Sequence, residues 1–326
     1  MPTRNRTLIV AFAATMTTLV ASCSTQAEPS LPNPSDPAQV AARLQGEDAT
    51  DFLFSVSTYD WGDSGVRPAE MFDWIPGAAT SPELQSAERA GETAHAIAAF
   101  LIEKDEQLLD ITSGLFGRDH TTVGGRNPEL VRSFADALAP FQGALVCDDR
   151  DVRGFDLFEP CDDALLPAQS VFAVISTDAE AASTFSDAAR ARIRTYVQTF
   201  ADTDLNSQAI YPAAQGLTHA GSLLGLLAVT ATKHDDLPPV DINREATEVR
   251  YTIAKAVLDH EPGPSVLEKF VADGSLMTPA EIQKNLGDAG YSEYSTALLN
   301  FLRQRNLETF VDHNIIDQFE AVVGNN

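Results

Sequence analysis

The sequence predicts an all-α protein, an irregular multi-helix bundle, and three observations predict it. Helix starts are legible: Ser81-Pro82-Glu83 and Asn127-Pro128-Glu129 place a capping side chain before Pro at the first helical position and an acid in the first turn. Thr278-Pro279-Ala280-Glu281 has the spacing of a capping box. Apolar residues recur three or four apart over long stretches, whereas the period-2 alternation of half-buried strands is scarce.

In chain order, residues 1–22 read as a signal peptide. Arg4 and Arg6 supply a positive start, and Leu8 to Ala21 form an apolar stretch too short to span a bilayer comfortably. Val20-Ala21-Ser22-Cys23 then resembles the bacterial lipobox. That resemblance implies cleavage before Cys23 and lipid on its thiol. Residues 23–45 are expected to be a flexible tether, because residues 24–37 are rich in Pro and Ser and lack an apolar period.

A main helical domain is expected over 46–236. Its first part, 50–80, is aromatic and less regular, and Tyr59, Trp61, Phe72 and Trp74 read as core. Over 81–103, Leu84, Ala87, Gly91, Ala94, Ala98 and Leu101 share one helix face. Over 128–146, Leu130, Phe134, Leu138 and Phe141 do the same, with Pro140 expected to kink or end the helix. Val171 to Ile175 fits a strand or a helix turn. The stripe from Ala182 through Phe185, Ala189, Ile193 and Val197 to Phe200 predicts a helix over 179–201. A helix over 206–233 contains Gly216 to Thr232, the most apolar stretch after the leader, which reads as a buried core helix.

Pro238-Pro239 marks a break, and 237–326 is expected to be a C-terminal helical part. Its expected helices are 244–260, 264–272, 279–286, 291–304 and 306–323.

Charge limits the partners. The chain carries −25, and removing residues 1–22, with Arg4 and Arg6 and no acid, leaves 20 basic against 47 acidic side chains, a net of −27. That sign repels phosphate backbones, so no nucleic-acid partner is expected. With Cys23 assigned to lipid, Cys147 and Cys161 remain, an even pair on one short acidic segment. In an exported chain such a pair closes a disulfide; free thiols and a metal are the alternatives, and two thiolates alone fall short of a four-ligand zinc site.

No motif in the chain is sufficient for catalysis. Gly62-Asp63-Ser64-Gly65 looks like a protease nucleophile loop but lacks the surrounding β scaffold, and reads as a turn. Glu92 and His95 form a single Glu-x-x-His pair where a di-iron bundle needs two, and read as a helix-surface pair. His234-Asp235 resembles the His-Asp step of metal-dependent phosphohydrolases, with His219, His260 and Asp241 as distant companions, but reads as a polar helix end. Asp202 to Ala213 lacks the Gly and the Glu of an EF-hand loop. Asp148, Asp149, Asp151, Asp162 and Asp163 crowd the cysteine pair and are a weak calcium candidate. No metal, no cofactor and no catalytic residue are assigned.

Four segments, 87–101, 127–143, 171–189 and 217–228, together resemble a group of actinobacterial proteins labelled "TPR repeat region-containing protein". The resemblance rests on helix patterns and implies an α-helical domain. The 34-residue period of tetratricopeptide repeats is not visible, and no functional residue is carried over. The expected function is a non-catalytic binding or scaffold module, lipid-anchored through Cys23 on the extracytoplasmic face of the cell membrane, with a protein partner in the envelope. The alternatives are an envelope hydrolase or metal-dependent enzyme, and a carrier of an apolar ligand.

Overall fold

The computed structural model describes residues 27–113, 119–150, 153–162, 164–204, 207–233, 237–260 and 266–324. The signal peptide, Cys23 and residues 234–236 lie outside them. The described chain is all-α apart from two very short hairpins.

The first helices are α1 (Pro37–Leu44), α2 (Ala49–Thr58), α3 (Val66–Ala69) and α4 (Ile75–Ala79). Asp36 caps α1, its Oδ1 accepting from the amides of Ala38 and Gln39, and Val40, Ala41 and Leu44 are buried. This corrects the expectation of a tether through residue 45: an apolar helix face at 40–44 has a core to enter. Ahead of α1, Leu31 packs on that core and Glu28 pairs with Arg67 at 2.8 Å. The aromatic segment 50–80 is core as expected. Trp61 and Phe72 are buried, and the indoles of Trp61 and Trp74 donate to the carbonyls of Val56 and Met71.

Next come α5 (Leu84–Glu103), α6 (Asp105–Leu109), the hairpin β1 (Ile111–Ser113) and β2 (Asp119–Thr121), α7 (Val123–Arg126) and α8 (Pro128–Leu138). The expected α5 stripe is buried from Ala87 to Leu101. Leu84 is the exception at 55% exposed, because α5 starts there and not at Pro82. Asn127 does not cap α8. Its Nδ2 is buried and donates to the carbonyls of Ser57 and Tyr59 at 2.9 and 2.8 Å, joining the start of α8 to the end of α2. As Pro140 predicts, α8 ends at Leu138 and a 3-10 turn (Ala139–Phe141) leads into α9 (Gln142–Leu145).

Helices α10 (Leu166–Ile175), α11 (Ala179–Ala201) and α12 (Ile210–Lys233) follow. The run Val171 to Ile175 is helical, and the whole predicted α11 stripe is buried. Helix α12 is buried on nearly all sides, the mark of a central core helix. No helix among the described residues is long and apolar enough to cross a membrane.

The last elements are α13 (Ile242–His260), a 3-10 turn (Glu268–Phe270), β3 (Val271–Ala272) and β4 (Ser275–Leu276), α14 (Pro279–Arg303), α15 (Glu308–Val311), a π-helical turn (Asp312–Asp317) and α16 (Gln318–Gly324). The helix expected over 264–272 is absent from its described part. Asp273 and Gly274 both take positive φ, 51° and 79°, and form the two-residue turn of a hairpin. The helices expected over 279–286 and 291–304 are arms of one element kinked at Gly287, whose φ of 66° with ψ of −167° suits glycine alone. The Thr278 capping box is complete in both directions.

The elements after residue 237 share the core of the preceding ones. Helix α13 packs on α11 and α14, and α16 packs along α12. Glycines permit that approach. A Cβ on Gly221 would stand 2.6 Å from the carbonyl oxygen of Asn314, and one on Gly225 would stand 2.6 Å from Cβ of Val322. Asn314 completes the seam by donating from Nδ2 to Thr218 at 2.7 Å.

Gly221→Ala therefore lowers stability. Alanine favours an isolated helix by about 1 kcal/mol, but the overpacked seam costs about 1–3 kcal/mol and carries backbone atoms that have little room to retreat. Urea unfolding followed by circular dichroism checks this, and an unchanged or higher midpoint would remove Gly221 as the reason α12 and α16 lie so close.

Candidate functional site

Three places gather polar or reactive side chains: the disulfide loop, a buried cluster beneath it, and a cleft between α13 and α14.

Cys147 and Cys161 are bonded, with Cα atoms 5.9 Å apart. Closing this loop contributes about 3 kcal/mol through the entropy of the unfolded chain. Backbone contact pins the loop on α5. A Cβ on Gly91 would fall 1.9 Å from the carbonyl oxygen of Arg153, and one on Gly154 would fall 2.2 Å from that of Glu88, so both positions need a bare backbone. His95 holds the same loop. Its Nδ1 lies 2.9 Å from the carbonyl oxygen of Asp156, which makes Nδ1 the donor, and its ring stacks on Phe158 at 4.6 Å. His95 is thus half-buried under the loop, not part of the surface pair expected with Glu92; Glu92 instead accepts from Gln45 at 2.6 Å.

Behind the loop lies Asp148, 3% exposed. Its Oδ1 accepts from Arg150 Nε at 2.6 Å, and its Oδ2 accepts from the Tyr196 hydroxyl at 2.6 Å. Burial by itself would raise the carboxyl pKa; the Arg150 and Tyr196 hydrogen bonds outweigh it and leave Asp148 below the usual carboxylate range. The same burial pushes the Tyr196 phenol well up, with the bond to Asp148 adding to it. His219 stands beside Tyr196, ring centroids 5.8 Å apart, and its Nδ1 donates to the carbonyl of Val146 at 2.8 Å. Burial lowers the His219 pKa, so the ring is held neutral; Asp148 opposes this and Arg150 reinforces it. Every strong group here is engaged by another from α11, α12 or the loop, so the cluster locks the loop to the core.

The cleft is different. It encloses about 520 Å³ and is lined entirely by polar side chains, five of them after the Gly287 kink of α14. At its inner end Thr247 is buried and shares a 2.9 Å hydrogen bond with Ser295. Tyr291 also lines it; the phenol hydroxyl is sealed from solvent and makes no hydrogen bond, and burial raises its pKa. At the rim Asp241 starts α13 by accepting from the amides of Asn243 and Arg244, and Asp288 accepts from Gln283 at 2.7 Å across the kink. Among the described residues the side-chain heads of Asn243, Arg244 and Ser292 form no hydrogen bond or ion pair, and all three are exposed. A second, shallower groove of about 830 Å³ lies between residues 29–32 and the α1–α2 pair, but there Arg43 is engaged by Asp48 and stacks over Phe52.

The remaining candidates do not assemble into sites among the described residues. Gly62-Asp63-Ser64-Gly65 is a turn, with Ser64 and both glycines at positive φ. Of the acids near the cysteines, Asp148 is bound by Arg150, and Asp162 accepts from the amides of Ala164 and Leu165; Asp151 and Asp163 lie outside the described residues. Among the described residues no group of three or more His, Cys, Asp or Glu is arranged to hold a metal ion. No sequence motif marks Asn243, Thr247, Tyr291 or Ser295. One signal was present: Gly287-Asp288-Ala289-Gly290 interrupts two helical patterns, and the hydroxyl-rich stretch 291–296 follows it. No protein-family model, no curated protein and no solved structure matches this chain.

Two expectations follow from the loop and its cluster. Cys161→Ser opens the loop and lowers stability by about 3 kcal/mol; reductant lowers the wild type by the same amount and leaves the variant unmoved, as read by urea unfolding. His219 is depressed in the folded state, so its contribution is complete above the ordinary histidine pKa of 6.5 and is lost as pH falls through it. Between about pH 7.5 and 5.5 the wild type therefore loses more stability than His219→Gln, the window bracketing the unperturbed value. Equal losses would show that His219 does not titrate against folding.

Proposed function

We propose that this chain is a bacterial envelope lipoprotein, carried by lipid on Cys23 at the extracytoplasmic face of the membrane, whose helical body is a non-catalytic binding module. Four features support the location: the positive start, apolar stretch and Val20-Ala21-Ser22-Cys23 run of the leader, and a disulfide that belongs to an oxidising compartment. Two acyl chains on Cys23 give stable anchoring where one is marginal.

The body stands close to its anchor. Glu28 already touches Arg67, so the chain from Cys23 to the first body contact reaches at most about 18 Å when fully extended. An acidic body held at that distance is repelled by anionic headgroups. Its working face is therefore one turned toward the envelope space, and the lipid alone opposes release.

The binding part of the proposal is carried by the cleft between α13 and α14, where Asn243, Arg244 and Ser292 present uncommitted hydrogen-bonding groups around a space of small-molecule size. The buried cluster of Asp148, Tyr196 and His219 lends no comparable support to the hydrolase alternative, since Asp148 is held by Arg150 and Tyr196 and the His219 Nδ1 is spent on the Val146 carbonyl. The all-polar lining of the cleft speaks against an apolar cargo there.

Cys23→Ala moves the protein from the membrane fraction to the soluble extracytoplasmic fraction. A variant that stays on membranes after a carbonate wash would sink the anchor. Proximity labelling from the wild-type chain in its host, with Cys23→Ala as control, yields a small anchor-dependent set of envelope proteins if the body is a scaffold for protein partners.

A further inference from the structure

We infer that the α13–α14 cleft takes a neutral, hydroxyl-rich ligand, a mono- or disaccharide unit. This rests on the reading of the cleft as a binding site and adds the chemistry of what enters it.

The lining selects by exclusion and by fit. No aliphatic side chain lines the space, so an apolar molecule would strip water from polar groups and return no hydrogen bonds. An organic anion meets Arg244 but also Asp241 and Asp288, and acids outnumber the base at the rim. A cation or zwitterion finds those acids at the mouth, but at the inner end it finds only the hydroxyls of Thr247 and Ser295, with no buried counter-charge. Neutral hydroxyls suit both depths. Each sugar hydroxyl donates and accepts, and the cleft offers donors from Asn243 and Arg244, acceptors from the second carboxylate oxygens of Asp241 and Asp288, and the Ser292 hydroxyl, which does both; the hydroxyl protons of Thr247, Ser295 and Thr296 are already given to Asn243, Thr247 and Ser292, so those oxygens serve as acceptors. The volume, about 520 Å³, lies within the range of small-molecule sites.

The kink at Gly287 builds this site. It ends the first arm of α14 at Gln283 to Leu286 and redirects the second, so that Asp288, Tyr291, Ser292 and Ser295 line one wall against α13. The hydrogen bond from Gln283 to Asp288 spans the break and leaves one Asp288 oxygen for a ligand.

The test uses the full chain in a non-glycosidic detergent, on an array of mono-, di- and oligosaccharides, followed by titration of the strongest hit. Succinate, putrescine and the dipeptide Ala-Ala are titrated beside it. Asn243→Ala and Asp288→Ala, both at exposed rim positions and each checked for an unchanged helical spectrum, weaken saccharide binding about tenfold each, as loss of a hydrogen bond in a ligand site does. Saccharide binding that neither variant changes overturns the assignment to this cleft. Binding of succinate, putrescine or the dipeptide in place of sugars overturns the hydroxyl-rich ligand and leaves a small-molecule binding module standing. Failure of all probes overturns this inference, and the proximity labelling then decides the binding-module reading by itself.

Discussion

The rest of the structure depends on α12 being buried on nearly every side. From Gly216 to Thr230 this helix exposes no residue, so each neighbour must reach it closely, and close approach needs small residues where axes meet. Gly216 faces Tyr196 of α11, and Gly221 and Gly225 face the π-helical turn and α16. The small residues that look unremarkable in the stretch 216–232 therefore decide which helices become neighbours. The widened π-helical turn matches this seam, with carbonyl groups of Asn314 and Ile315 laid over Gly221.

The same logic governs the disulfide loop. Its bond closes the segment, but its position comes from Gly91 and Gly154 meeting backbone to backbone, from His95 beneath Phe158, and from Asp148 held by Arg150 and Tyr196. Polar groups buried this deeply stabilise only when each has a partner. This cluster meets that requirement, which makes it an unpromising place for chemistry and an effective clamp. The cleft between α13 and α14 breaks the pattern, because several of its polar heads have no protein partner.

Much of the helical framework was legible. The stripes over 128–141 and 179–201 are buried as their spacing demands, because a helix with a three-to-four periodicity has one way to bury its apolar face. The Thr278 capping box and the Cys147–Cys161 bond are local, and local chemistry reads well. Errors arose where a distant group outcompeted a local preference. Asn127 has a capping residue's identity, yet two carbonyls at the end of α2 take its amide. Residues 37–44 look like the end of a polar tether until the core that receives Val40 and Leu44 exists. The Asp273-Gly274 turn signal is present in the sequence, and it prevails over the helix expected across 264–272.

The sequence by itself determined the helical class, the acidic balance, the disulfide partners and the course of the long helices α5, α11, α12 and α13, because each is settled by residues close together in the chain. Only the tertiary structure decided that His95 serves the loop, that Asp148 is shielded, and that Asn243 and Thr247 face Tyr291 and Ser295 across a cleft. Those pairs lie tens of residues apart, and what joins them is the packing of whole helices around α12 and the bend at Gly287, neither of which any short stretch of sequence encodes.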